Sequence, residues 1–159
     1  MTVMRSLFDN TMRECAVEYG IAVKSRNESF VSAPVTSSAM AADYLRPLFG
    51  ADIEIVESFV VLVMSRSNKI VGWAKVSTGG RTATVVDVSI IAKIAVDSLA
   101  CGVILAHNHP SGSLRPSAAD DSLTSKIKQG LALLDVKALD HIILSPDGNY
   151  YSYSDEGRL

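Results

Sequence analysis

The stretch 101–120, CGVILAHNHPSGSLRPSAAD, constrains what this chain can fold into more than any other part of it. Residues 101–106 are an apolar run that reads as a buried strand, and they lead directly into His107 and His109. Side chains two positions apart in a strand share a face, so both imidazoles point the same way from the strand's end. Pro110, Gly112 and Pro116 then turn the chain. Ser117 fits the N-cap of a following helix, and Asp120, three residues on, looks back from its first turn. Strand, turn and helix start must therefore close on one point, at the edge where an α/β sheet presents its ligands.

Two imidazoles and one carboxylate supply three nitrogen and oxygen donors. That is the number a catalytic zinc takes from its protein, with a fourth position left for water. A lone histidine is more often a core or surface residue than a ligand, and a bare H-x-H pair says little more. Here all three histidines of the chain fall between positions 107 and 141, two of them in the pair. That clustering favours a metal site at His107, His109 and Asp120, and the ligand types favour Zn2+. His107-Asn108-His109 also spells HNH, the name of a nuclease class. Those nucleases spread the residues over a hairpin and a helix, so the coincidence carries no meaning.

The remaining pattern completes an α/β reading. Residues 36–49 predict a helix closed near Gly50, and residues 59–64 and 70–76 predict a hairpin around 65–69. Residues 77–80 form a Gly-rich turn near the site, with no Gly-Lys-Ser/Thr to make it a phosphate loop. Residues 88–99 read as a helix packed through Ile91, Ile94, Ala95 and Leu99, and residues 103–106 as the central strand. Residues 117–134 read as a second long helix with a core stripe of Leu123, Ile127, Leu131 and Leu134. Residues 138–144 predict another strand, and Asp147-Gly148 a turn into 150–153. Residues 1–30 form an N-terminal extension with a candidate strand at 15–23 and a polar connection at 24–29; residues 31–159 form one domain.

With 159 residues, 48% of them hydrophobic, the chain can bury a substantial core. A net charge of −2 gives no general electrostatic grip on nucleic acid. Cys15 and Cys101 form no CxxC pair and read as reduced, buried small residues of a cytoplasmic protein. No apolar run is long enough for a membrane span, and the first ten residues lack the apolar core of a secretory signal. The expected setting is the cytoplasm, with no membrane association.

His107, His109, Ser117 and Asp120 meet the spacing H-x-H-x7-S-x2-D without a gap. This resembles the JAMM motif of the JAB/MPN metallohydrolases. The longer text HNHPSG, PSAADDSLT, LLDVKALDHIIL and YYSYSDEG resembles the RadC branch of that superfamily, from about Val31 to Leu159. The resemblance implies a single α/β domain with a mixed β-sheet sandwiched between helices. It implies a zinc metallopeptidase or isopeptidase acting on a peptide or an isopeptide-linked protein. It also implies a glutamate at the start of the first core strand, where Glu57 stands, with Glu54 its nearest rival. A zinc-bound water has its pKa lowered to about 7, and such a carboxylate can take its proton and pass it to the leaving group. In the family the serine matching Ser117 polarises the scissile carbonyl, a role compatible with capping. His141 belongs to the family text but not to its ligand set, and is expected to hydrogen-bond near the site or in the core.

Two alternatives accompany this reading, a non-catalytic MPN scaffold and a DNA-repair-associated RadC-like protein. The complete ligand set argues against the scaffold. The acidic balance argues against DNA contact, as does the absence from residues 1–30 of the helix-hairpin-helix pattern common at the N-terminus of RadC proteins. In SIIAKIA, where related sequences often read His-Pro-Arg, Lys93 is the only basic residue. A zinc deaminase would need H-x-E with P-C-x-x-C, and neither string occurs.

Overall fold

Apolar residues run through consecutive positions of the strand Gly102–Asn108, all of them buried, which requires cover on both faces of the sheet. The computed structural model, which describes residues 33–79 and 86–159, supplies that cover. In chain order the elements are α1 (Ser38–Phe49), α2 (Asp52–Ile55), β1 (Ser58–Met64), β2 (Ile70–Thr78), α3 (Val88–Asp97), β3 (Gly102–Asn108), α4 (Ala118–Ala132), β4 (Lys137–Leu144) and β5 (Tyr150–Ser152). The strands form one sheet in the order β2-β1-β3-β4-β5. Only β3 and β4 pair in parallel, joined by the α4 crossover; β1–β2, β1–β3 and β4–β5 are antiparallel.

Strand alternation divides the core into two layers. Val60, Leu62, Met64, Ile104, Ala106, Ile142 and Leu144 face α1, which contributes Ala41, Leu45 and Phe49. Phe59, Val61, Val103 and Leu105 face the other way, against Ile91 and Ala95 of α3 and Ile127 and Leu131 of α4. His107 continues the Val103, Leu105 alternation onto this second face. The domain is therefore the expected mixed sheet between helices.

Both long helices facing the second layer stop earlier than their apolar periodicity predicts. After α3, Leu99 takes a left-handed φ of 51° while the Ala100 amide donates to Ala95 O. After α4, Asp135 takes a φ of 56° while the Val136 amide donates to Leu131 O. Each wrap satisfies orphan carbonyls at the helix end and redirects the chain into a strand. The last residue assigned to each stripe is consequently outside the core: Leu99 is 87% exposed and Leu134 43%. Cys101, expected to be buried, is exposed, because it sits in the connection just before β3. The short helix α2 has no counterpart in the sequence reading. The expected strand at 15–23, the connection at 24–29, Cys15 and Gly80 lie outside the described residues.

Candidate metal centre

The C-terminal end of β3 delivers the first ligand candidate. His107 lies opposite Phe59 of β1 and beside Ile143 of β4, and its ring stacks on Phe59 with an interplanar angle of 5°. His109 follows the strand, its amide still bonded to Leu144 O at 2.9 Å. The chain then turns sharply, with the Gly112 amide donating to His109 O and Gly112 at φ 80°, a conformation suited to glycine. The loop returns at Ser117, the N-cap of α4.

Ser117 and Asp120 form a reciprocal capping box. The Asp120 amide donates to Ser117 Oγ at 3.1 Å, and the Ser117 amide donates to Asp120 Oδ2 at 2.7 Å. Ser117 Oγ also donates to Asp120 Oδ2 at 2.7 Å. Two donors thus occupy Oδ2, leaving Oδ1 turned toward His107 Nε2 at 3.3 Å. Burial opposes ionisation of Asp120, but hydrogen bonding and charge from His107 when it is protonated, with the Ser117 bonds, outweigh it and hold the carboxyl well below the usual carboxylate range. Asp120 is an anion at neutral pH.

A proton chain behind the ligands fixes which ring nitrogens carry hydrogen. Thr124 Oγ1 lies 2.6 Å from Asp120 O and 2.6 Å from His141 Nδ1. A carbonyl can only accept, so the single hydroxyl hydrogen goes to Asp120 O, and His141 Nδ1 must donate to Thr124. His141 is fully buried; burial first, and the neighbouring His107 next, push its pKa well below the ordinary histidine value, so it is neutral. Its Nε2 is then an acceptor, and His107 Nδ1, 2.8 Å away, must be the donor. On the other ligand, His109 Nδ1 lies 2.7 Å from Ser113 O and must likewise donate. In their neutral forms His107 and His109 therefore aim bare Nε2 lone pairs at each other across 2.9 Å.

Two facing lone pairs beside a carboxylate repel unless a cation lies among them. Zinc–nitrogen bonds of about 2.0–2.1 Å in a tetrahedron separate neighbouring donors by about 3.3 Å. The 2.9 Å between the two Nε2 atoms and the 3.3 Å from His107 Nε2 to Asp120 Oδ1 match within a few tenths of an ångström, while the 3.7 Å from His109 Nε2 is to the other carboxylate oxygen, Oδ2. His107, His109 and Asp120 form the group of described residues that could hold a metal ion. The donor set fits a divalent metal.

Glu57, half-buried immediately before β1, lines the same cleft as His107, His109, Ser117 and Asp120. Glu54 is exposed on α2 and is not among the residues lining that cleft. Lys93 pairs with Asp97 on the exposed side of α3 and is also absent from the cleft lining. Three supporting residues escaped the sequence reading. Thr124 is buried on the α4 stripe, four residues from Asp120, a spacing that could have flagged it. Tyr153 stacks on His141 at 5.0 Å between ring centroids and donates its hydroxyl to Asp121, which Arg158 also pairs. Asn108, between the two histidines, is fully buried and engaged by its whole amide.

Fold and site together define a mixed-sheet α/β domain with a His-His-Asp metal-type centre at the end of its central strand. Residues 35–158 match the family model described as "RadC-like JAB domain", and the chain belongs to that family. It is 45% identical over 123 residues to a UPF0758 protein of Flavobacterium johnsoniae, covering 77% of this chain and 52% of that one. A UPF0758 protein of Porphyromonas gingivalis is 42% identical over 125 residues, covering 79% of this chain and 54% of the relative. One from a Janthinobacterium species is 44% identical over 116 residues, covering 73% and 50%. The chain spans about half the length of the curated relatives it matches. Among the described residues no helix is long and apolar enough to cross a membrane.

Proposed function

We propose that this domain is a zinc-dependent hydrolase of peptide or isopeptide bonds. One observation carries the reading: two imidazoles locked with their Nε2 lone pairs converging beside an ionised carboxylate oxygen. His107, His109 and Asp120 would hold the ion. When bound, zinc acts as a Lewis acid and makes water nucleophilic near neutral pH.

The remaining chemistry belongs to the chain. Glu57 faces the cleft from the start of β1, with no side-chain partner among the described residues, and serves as the carboxylate that accepts a proton and returns it to the departing amine. Ser117 orients Asp120 through the hydroxyl and amide bonds to Oδ2, and its hydroxyl lies at the cleft wall, where it can turn to a substrate carbonyl. Phe59 and Leu123 give the cleft apolar walls that exclude water from the amide. The substrate partner is a peptide or an isopeptide-linked protein, in the cytoplasm, and nucleic acid is not a strong ligand.

The test pairs elemental analysis with a screen of peptide and isopeptide libraries. About one zinc per chain is expected in the parent protein and none in His107→Ala. Glu57→Gln is expected to keep zinc and lose turnover, because the amide preserves size and removes the proton acceptor. Full zinc retention by His107→Ala would overturn the site. A zinc-loaded parent protein inert across the libraries would overturn the hydrolase.

A further inference from the structure

We propose that Asn108 is a positioning residue that sets Glu57 against the metal ligands, an inference that rests on the hydrolase reading above. Asn108 has 0% exposure and sits between His107 and His109 on β3. Its Oδ1 accepts from the Ser58 amide at 2.8 Å. Its Nδ2 donates toward three carbonyls, Asp52 O at 3.0 Å, Ile53 O at 3.2 Å and Val56 O at 2.9 Å. Val56 O and Ser58 N flank Glu57, so one side chain grips the backbone on both sides of the glutamate.

The alternation of β3 explains the arrangement. His107 points to the α4 face, so Asn108 points to the opposite face, where the end of α2 arrives. A four-residue helix leaves most of its carbonyls without helical partners: Asp52 O accepts from the Val56 amide, and Asn108 adds a second bond there and takes up Ile53 O. The Glu57 carbonyl is tied separately, accepting from the Gly79 amide at 2.7 Å. Ser58 Oγ and Lys75 Nζ both bond Asp52 Oδ2, at 2.9 and 2.8 Å, adding side-chain ties between α2 and the strands. Among these ties, Asn108 is the one belonging to the ligand-bearing strand. It converts the position of His107 and His109 into the position of Glu57. No other uncharged side chain of this length offers an acceptor and two donors in one plane, which is what a Ser58 N–H on one side and carbonyls on the other require.

The experiment uses the full chain with Asn108→Ala, and with Asn108→Ser in case alanine does not fold. Zinc content is expected to be retained, since the donors of His107, His109 and Asp120 are untouched. Protection of the Ser58 amide from hydrogen exchange is expected to fall while Val60 to Met64 stay protected, and a crystal structure should show Glu57 displaced by about 1 Å or more. A misplacement of that size costs about 100-fold in rate, expected in kcat with KM little changed. In the Glu57→Gln background the same substitution should cost almost nothing further of the residual rate read in single-turnover assays at high enzyme concentration, because a group that acts only through Glu57 has nothing left to position. An unmoved Glu57, an unchanged kcat, or an equal loss in both backgrounds would overturn the proposal. If the parent protein cleaves no substrate, the hydrolase reading fails, and the exchange and crystal measurements still decide whether Asn108 places Glu57.

Discussion

Thr124→Val tests the proton chain behind His107 without replacing a candidate ligand, and it also removes the hydroxyl bond to the Asp120 carbonyl. Valine matches threonine in shape but removes the hydroxyl that receives the His141 Nδ1 proton at 2.6 Å. His141 then has two options. It can keep that proton, leaving a buried donor unpaired at a cost of about 1–3 kcal/mol. Or it can move the proton to Nε2 and donate to His107 Nδ1, 2.8 Å away, which forces the His107 proton onto Nε2. That is the atom facing His109 and Asp120, so the second option blocks the metal donor. The penalty on binding is bounded by the cost of the first option, about 1–3 kcal/mol, or roughly 5- to 150-fold in affinity. Loss of a partner behind a metal-binding histidine typically costs 10- to 100-fold, in the same range. Zinc affinity measured against a competing chelator at neutral pH reads the effect, and Thr124→Ser, which restores the hydroxyl, should recover most of it. Nitrogen NMR of the imidazoles should show His107 with its proton on Nδ1 in the parent protein. A Thr124→Val protein that binds zinc within twofold of the parent would refute the tautomer argument.

The sequence exposes most of the frame because the frame obeys simple periodicities. Residues 59–64 and 70–76 alternate or run apolar between polar turns, and they form the β1–β2 hairpin within two residues of those limits. The donors His107, His109 and Asp120 are legible because their constraint is local: a strand end, a turn and a capped helix within one short segment. The errors lie at helix ends. Leu99 and Leu134 continue an apolar rhythm by composition, but backbone wraps at Leu99 and Asp135 end the helices first. Neither wrap uses glycine, so the usual punctuation for a helix stop is missing. Helix α2 is too short for periodicity to register, and two of its carbonyls, Asp52 O and Ile53 O, bond Asn108, more than fifty residues away in sequence.

What surrounds the donors is not written locally at all. His141, Thr124 and Tyr153 come from β4, α4 and the segment after β5, and only the parallel pairing of β3 with β4 brings them behind His107. Hydrogen-bond direction, the property that fits the site to a metal, follows from which of these atoms can only accept. A sequence gives the donor types but not the carbonyls of Asp120 and Ser113 that decide their protonation.

Further outcomes follow from the same geometry. Ser117→Ala should lower the hydrolytic rate by about one to three orders of magnitude if its hydroxyl meets the substrate oxyanion. It should also lower stability by about 1 kcal/mol in urea unfolding, through loss of the cap on α4. His141→Phe should fill the space between Phe59 and Tyr153 but leave His107 Nδ1 unpartnered, so zinc affinity should fall while the fold persists in circular dichroism. Duplex DNA should bind weakly and without sequence preference. Affinity for DNA comes chiefly from neutralising phosphates with clustered Lys and Arg, and each such contact steepens the salt dependence. This chain carries 15 basic against 17 acidic residues. Of its bases, Lys75, Lys93 and Arg158 are paired with Asp52, Asp97 and Asp121, and so are less available to phosphate. A titration at moderate salt should show no submicromolar binding. A submicromolar affinity with a steep salt slope would refute the charge argument and move the domain's function toward DNA.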